Sequence, residues 1–468
     1  MSYFSLTYLG IFSLIISILS FFNIVYSYYF NLYLNLDSYV YSLFISLFFG
    51  LIFLTKKKNN FQISIYTKIT TVISGYIVLP IIISIPFYFS IYNISFLDSY
   101  FESISGFTST GFTIFDNIKH LDESLILWRS SSQWLGGLYF LFSIITLLDV
   151  FDDNLKKSLT NFLSFNKSET LKQSSKILIL YFLLTLFLFM IFKIFDFRTF
   201  ISFNFAMTII SSGGFLPVNK LSSIVNTDIK EIIFSLSMLV SFFSIFLSYN
   251  ILFFKSKNIN FFQEDLYLLF YFLFLLFIFL VFFNFDYNFS VILLSLISSI
   301  SNIGFSLDKN PSNLSFIFLI LVIIGGSFFS TSSGIRFLKL YTLFRFSIND
   351  LISHVRPKNI FINKHVYLNI SFKKNEINKY FLSFMIFIIS LLLLTSLLTI
   401  SGSSFENSFK LAILTLMNTV NSSMYGLANF DFQELHFFTK YYLIIFMIIG
   451  RVEMLTFLII CKKVLFKS

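Results

Sequence analysis

Four short polar stretches, each set between hydrophobic segments, are the residues of this chain best suited to do chemistry. They read Ser105-Gly-Phe-Thr-Ser-Thr-Gly-Phe-Thr113, Ile210-Ser-Ser-Gly-Gly-Phe-Leu216, Ser301-Asn-Ile-Gly-Phe-Ser306 and Asn421-Ser-Ser-Met-Tyr-Gly-Leu427. Rings of backbone carbonyls replace a cation's hydration shell at little reorganisation cost when the backbone can take partly left-handed dihedrals, which Gly permits. Each stretch follows an apolar half-helix candidate, about 96–106, 200–210, 291–300 and 408–420, whose C-terminal end would turn its negative dipole toward the ion. A plain Ser/Gly turn explains any one stretch. Four in phase point to one central polar path, because non-helical backbone at membrane depth is tolerated only inside protein or along a watery cavity.

The elements that must position these loops follow from the composition. Of 468 residues, 56% are hydrophobic and 12% charged, and the mean hydropathy is +0.83, which places the chain among polytopic membrane proteins surrounded by lipid. Phe supplies 71 residues, a bias that genomic base composition explains as well as lipid does. A membrane helix needs about 20 mostly apolar residues. Ten segments qualify: about 4–30, 39–54, 65–90, 124–150, 175–195, 229–254, 264–284, 314–335, 378–400 and 439–461. The polar stretches follow the third, fifth, seventh and ninth spans, so a unit of span, re-entrant loop and span recurs four times. The expected fold is all-α integral membrane, with four pseudo-fourfold helix–pore-loop–helix repeats plus an N-terminal two-helix hairpin. The expected divisions are a hairpin at 1–60, repeats at 61–172, 173–260 and 261–350, a cytoplasmic linker at 351–375, and a last repeat at 376–468.

The net charge of +10 does not imply nucleic acid, because Lys and Arg gather in the gaps between spans. Lys56, Lys57, Lys58, Lys156, Lys157, Lys167, Lys172, Lys176, Lys255, Lys257, the stretch 336–379, Lys462, Lys463 and Lys467 all fall on one side of ten alternating spans. That side is expected to be cytoplasmic and to hold both termini. The opposite gaps carry Asp98, Glu102, Asp116, Asp122, Glu123, Asp308, Glu406, Asp431 and Glu434, which suggests an acidic outer vestibule. The 336–379 stretch, with Arg345, Arg356, Lys358, Lys364, Lys373 and Lys374, reads either as an ordinary positive-inside loop or as a docking surface for a soluble regulatory subunit. The first apolar segment lacks a basic n-region and cleavage site, so a cleaved signal peptide is not expected. Lone Cys461 and four scattered His indicate neither a disulfide nor a metal centre. No phosphate-binding Gly-rich Lys-Ser/Thr motif occurs, and the spans lack clustered His, Asp or Glu, so no enzyme and no organic cofactor are expected.

Two further features fall inside spans. Gly325, Gly326, Ser327, Ser330, Thr331, Ser332, Ser333 and Gly334 make a run too rich in Gly and hydroxyls for a lipid-facing helix; it reads as unwound backbone in a cavity or as a small-residue packing face. Arg451 lies in the middle of the last span, where a charge costs at least about 2.5 kcal/mol unless it faces partners. Glu453, two residues on, sits on another helix face.

The segments Phe101-Glu-Ser-Ile-Ser-Gly-Phe-Thr-Ser-Thr-Gly111, Ser211-Ser-Gly-Gly-Phe215, Gly325-Gly-Ser-Phe-Phe-Ser-Thr-Ser-Ser-Gly-Ile-Arg336 and Gly450-Arg-Val-Glu453 resemble the signatures of the Trk/Ktr/HKT superfamily of potassium transporters. Two extra N-terminal spans and Trp128-Arg-Ser-Ser-Ser-Gln-Trp-Leu-Gly-Gly137 make the chain more similar to the TrkH branch. The resemblance implies an inner-membrane protein that takes up K+ through a filter formed by Ser109, Thr110 and Gly111; Ser211, Ser212 and Gly213; Asn302, Ile303 and Gly304; and Ser422, Ser423 and Met424. In that family, Gly at the third position of every loop goes with potassium selectivity, so Met424 opens the alternative of a sodium or weakly selective cation pathway. Sliding the fourth register by two residues would instead bring Gly426 to the site. The resemblance also implies that Gly325 to Gly334 forms an intramembrane gate below the filter, that Arg451 is an electrostatic barrier beside it, and that the chain is a homodimer under a cytoplasmic nucleotide-binding regulatory ring.

Overall fold

The computed structural model describes residues 3–55, 64–151, 170–248, 262–283, 288–308, 311–355, 366–367, 370–371, 374–427, 430–452 and 454–466. Lys56, Lys57, Lys58, Lys156, Lys157, Lys167, Lys255, Lys257, Arg356, Lys358, Lys364, Lys373, Lys467 and Glu453 lie outside the described residues.

Helices Tyr3–Tyr29 and Leu36–Leu54 pair as an antiparallel hairpin, drawn together by small residues. The Ser13 hydroxyl donates to the Ser46 carbonyl at 2.7 Å, and the Ser20 and Ser42 hydroxyls meet at 3.0 Å. The hairpin packs on helix Ile65–Ile83, which begins the first repeat.

Each repeat has a leading span, a half-helix, a loop and a trailing span. The leading spans are Ile65–Ile83, Thr170–Ile194, Phe262–Phe283 and Lys374–Ile400. The half-helices are Phe96–Phe107, Thr199–Ile210, Phe289–Ile300 and Phe405–Leu416, each 12 residues long. The trailing spans are Glu123–Phe151, Asp228–Phe242, Ser315–Ile324 and Phe437–Val452.

Among the described residues, six helices are long and apolar enough to cross a membrane, and all are hairpin or leading elements: Ser5–Tyr29, Leu36–Leu54, Ile65–Tyr88, Ser175–Ile194, Glu264–Phe282 and Ile377–Ile400. Their outer faces expose large apolar side chains such as Phe182, Met190, Phe274, Phe277, Ile389 and Leu392. Three trailing spans, Asp228–Phe242, Ser315–Ile324 and Phe437–Val452, are too short for that criterion at 15, 10 and 16 residues, and Glu123–Phe151 and Phe437–Val452 bury Arg129, Gln133, Lys440 and Arg451 in the interior. The span expected at 229–254 ends as a helix at Phe242, because the last carbonyls of Asp228–Phe242 accept from another segment: Ser332 N donates to Ser241 and Ser327 N to Phe242.

The repeats close into a ring. The first trailing span packs on the second half-helix, the second on the third, the third on the fourth, and Phe437–Val452 returns to Phe96–Phe107. Two glycines permit close approach of trailing spans to half-helices: a Cβ on Gly136 would lie 2.0 Å from the Phe107 carbonyl oxygen, and one on Gly450 would lie 2.3 Å from that of Leu416. Gly136→Ala and Gly450→Ala are each expected to cost about 1–3 kcal/mol by overpacking, measurable as a lower denaturation midpoint in detergent. Near the third trailing span, helix Phe337–Val355 leads toward a two-residue antiparallel ladder pairing Val366 with Ser371 and Tyr367 with Ile370.

Candidate ion pathway

The backbone repeats one loop geometry four times. In each loop, the second residue after the half-helix is left-handed although it is not Gly: Ser109, Ser212, Asn302 and Asn418, with φ of 58°, 54°, 59° and 46°. Each of these N–H groups donates to the third carbonyl before it, and the next N–H reaches back five residues: Thr110 to Ser105, Gly213 to Thr208, Ile303 to Ser298 and Thr419 to Leu414. These bonds satisfy carbonyls that the helix end would otherwise leave open.

The register so defined differs from the sequence expectation in two loops. Ser109, Thr110 and Gly111 and Asn302, Ile303 and Gly304 are equivalent, as expected. In the second loop Ser211 ends the half-helix with right-handed backbone, so the equivalents are Ser212, Gly213 and Gly214. In the fourth loop the half-helix stops at Leu416, and the equivalents are Asn418, Thr419 and Val420. Ser422, Ser423 and Met424 lie further on, where Ser423–Tyr425 forms a 3-10 turn closed by left-handed Gly426. Met424 is fully buried against the third half-helix, its sulfur 3.5 Å from the Ser299 hydroxyl.

The third positions converge. A Cβ on Gly111 would lie 2.6 Å from the Gly214 Cα, one on Gly214 would lie 2.4 Å from the Val420 Cβ, and one on Gly304 would lie 2.7 Å from the Val420 carbonyl oxygen. Gly111 and Gly304 are left-handed (φ 83° and 85°), whereas Gly214 and Val420 are not, so a β-branched residue fits the fourth loop without backbone strain. Side chains tie neighbouring loops together. The Ser212 hydroxyl donates to the Ser301 carbonyl, Asn302 Nδ2 to Thr419 Oγ1 and Asn418 Nδ2 to Thr110 Oγ1, at 2.5, 3.3 and 3.0 Å. Farther along, Asn219 Nδ2 donates to Asn117 Oδ1, Ser222 to Asp308, Ser306 meets Ser423, and Phe112 stacks on Phe432 with ring centroids 4.7 Å apart, completing the circuit.

The acidic vestibule is weaker than the sequence suggests. Glu102 is buried against Arg129, Asp98 pairs with Lys440, Asp308 has Lys220 3.5 Å away, and Lys410 sits 2.5 Å from Glu406. The hydrogen bond and charge of Lys410 hold the exposed Glu406 carboxyl below its ordinary range. Lys220 and Lys410 in the gaps and Lys440 at the start of the last span offset these acids.

Beneath the loops, Gly325 to Gly334 is unwound and buried over most of its length. Its neck is pinched: a Cβ on Gly325 would lie 2.2 Å from the Ser333 carbonyl oxygen, and both Gly325 and Gly334 have positive φ. The Thr331 hydroxyl donates to the Ile210 carbonyl at the end of the second half-helix, 2.7 Å away. Ser332 Oγ accepts from Gly326 N and meets Ser330 Oγ, while Arg336 Nη1 donates to the Ser327 carbonyl at 3.0 Å. Arg451 is buried and bridges loop and ring, donating to Ser333 Oγ and, at 3.3 Å, to Ser109 Oγ. Its guanidinium lies 3.9 Å from the Phe140 ring, which also has Arg336 4.9 Å away. Two anchors escaped the sequence reading. Glu264 Oε1 accepts from Phe328 N at 2.8 Å, and Asp265 Oδ1 accepts from Ser244 N at 3.0 Å, both from the first turn of a leading span. An acidic pair opening an otherwise apolar helix was the available signal.

No family profile matches the chain. Curated relatives include the uncharacterized cation transporter MJ1485 of Methanocaldococcus jannaschii, 24% identical over 369 residues, covering 76% of this chain and 73% of that one. The Trk system potassium uptake protein TrkH of Escherichia coli K12 is 22% identical over 398 residues, 81% of each chain. The crystal structure of the potassium transporter TrkH from Vibrio parahaemolyticus superposes with a TM-score of 0.85 at 19% identity, covering 98% of each chain, which establishes a shared fold. These relatives are named as transport proteins, and the chain is similar in sequence to Trk potassium uptake proteins and in fold to TrkH.

Proposed function

We propose that the chain takes up potassium across a cell membrane through the ring of Ser109 to Gly111, Ser212 to Gly214, Asn302 to Gly304 and Asn418 to Val420, with Gly325 to Gly334 as a gate. The convergence of Gly111, Gly214, Gly304 and Val420 carries the reading, since it brings four carbonyl-bearing strands to one point at the ends of four half-helices. The basic gaps support an inner-membrane orientation with cytoplasmic termini. The resemblance to the Trk superfamily carries the further proposal of a homodimer whose cytoplasmic face receives a nucleotide-binding regulatory ring.

Potassium and rubidium uptake, measured against sodium in a transport-deficient cell, tests the function. Sodium uptake without potassium uptake would replace this reading by the sodium pathway that a non-Gly third position in the fourth loop favours. Arg451 is the barrier in this scheme: its charge reaches Ser109 from below, where an entering cation is repelled. Arg451→Gln is expected to raise uptake at limiting potassium by about tenfold, equivalent to about 1.4 kcal/mol.

A further inference from the structure

The first repeat holds a buried ion pair that two other repeats replace with apolar side chains. Glu102 and Arg129 are 0% and 1% exposed, with Arg129 Nε donating to Glu102 Oε1 at 2.8 Å. Glu102 lies seven residues before the left-handed residue of its loop; the same count gives Phe205, Ser295 and Leu411. Arg129 is the seventh residue of its trailing span, and the same count gives Phe234 in the second repeat and Leu443 in the fourth. Phe205 and Phe234 pack with ring centroids 4.9 Å apart, and Leu411 and Leu443 are fully buried. Apolar residues therefore suffice to pack a half-helix on its trailing span, and replacing a buried ion pair by apolar residues is often neutral or stabilising.

What the charged pair adds is direction. Beyond Gly111, Ile114 N donates to Glu102 Oε2 at 3.0 Å. The Thr113 hydroxyl donates to Glu102 Oε1 at 3.1 Å and accepts from Arg129 Nη2 at 2.9 Å. The Arg129 guanidinium covers the ring of Phe215, 4.2 Å from its centroid, and Phe215 directly follows Gly214. One rigid unit thus grips the first loop two residues past Gly111 and the second loop one residue past Gly214. These are the two glycines that come within van der Waals distance of each other. We propose that Glu102 and Arg129 are positioning residues that fix the spacing of the first and second loops and thereby set the discrimination between potassium and sodium. This inference rests on the proposed function.

The test gives the first repeat the apolar solution of the fourth, Glu102→Leu with Arg129→Leu, and measures rubidium uptake with sodium competition alongside membrane abundance and the detergent denaturation midpoint. The double variant is expected to keep abundance, midpoint and uptake while losing about tenfold of its potassium preference. Glu102→Gln alone, which leaves Arg129 without its counter-charge, is expected to lose abundance. An unchanged preference in a folded double variant overturns the proposal and leaves the pair a packing device. If the double variant does not fold, Thr113→Val keeps both charges but removes the hydroxyl bridge; about threefold loss of preference is then expected, and no loss overturns the proposal. Absence of any monovalent cation uptake by the unmodified chain refutes the function itself, a separate outcome.

Discussion

Val420→Gly is expected to increase the preference for potassium over sodium by about tenfold, whereas Met424→Gly leaves that preference unchanged and costs about 2–5 kcal/mol of stability. The asymmetry follows from where the two side chains lie. Val420 is the third residue of the fourth loop, and its Cγ1 comes within 2.8 Å of where a Cβ on Gly304 would sit. Its isopropyl group fills space between three loops, and its β-branched backbone resists the left-handed geometry that Gly111 and Gly304 adopt. Met424 is a core side chain behind the third half-helix. A double-mutant cycle sharpens the expectation. Gly214→Ala places a Cβ 2.4 Å from that of Val420 and should abolish uptake; adding Val420→Gly vacates that space and should restore a measurable fraction. Ion-replacement uptake reads all four variants. Failure of the second change to rescue the first would show that the two residues do not meet across the path.

The same two residues show what the sequence could and could not convey. The leading spans, the four loops and the unwound Gly325 to Gly334 run were legible because each rests on composition over many residues. Register was not, because it turns on single backbone dihedrals. Matching the fourth loop to the family filter through Asn421 and Gly426-Leu427 puts Ser422, Ser423 and Met424 at the site and carries the half-helix to Val420. Only the structure supplies the frame that aligns the loops: Ser95, Arg198, Asn288 and Ser404 precede the four half-helices, and the left-handed residue follows each by 14 positions. In the second loop the ambiguity of Gly213 and Gly214 hid a shift of one. Glu102 reads as a vestibule residue because nothing local reveals that Arg129, on the next span, takes it into the interior. Long-range pairing of charges is the information a single sequence withholds.

If the proposed gate at Gly325 to Gly334 limits uptake, Glu264→Ala is expected to raise uptake at limiting potassium by about 5- to 150-fold under conditions in which that gate is mostly closed. The Gly325 to Gly334 segment has lost regular helical bonding, so its position depends on partners outside itself. Ser327 N and Ser332 N use the carbonyls exposed where Asp228–Phe242 ends, and Thr331 reaches Ile210. Phe328 N uses Glu264. Removing that acceptor leaves a buried N–H unpaired, which costs about 1–3 kcal/mol in the closed arrangement and costs nothing in an arrangement where the N–H meets water. Uptake limited by gate opening rises by the corresponding factor, up to the point at which the open state predominates. Glu264→Gln keeps a carbonyl oxygen for Phe328 N, so uptake close to that of the unmodified protein is expected. A merely structural Glu264 would behave differently: both variants would lower membrane abundance, and uptake per molecule would stay constant. The neighbouring carboxylate separates the two anchors, because Asp265 binds Ser244 N at the helix break rather than the loop itself. Asp265→Ala, which removes that acceptor, should therefore leave the resting uptake rate near that of the unmodified protein, and a rise as large as that of Glu264→Ala would mean that the helix break and the loop open as one unit.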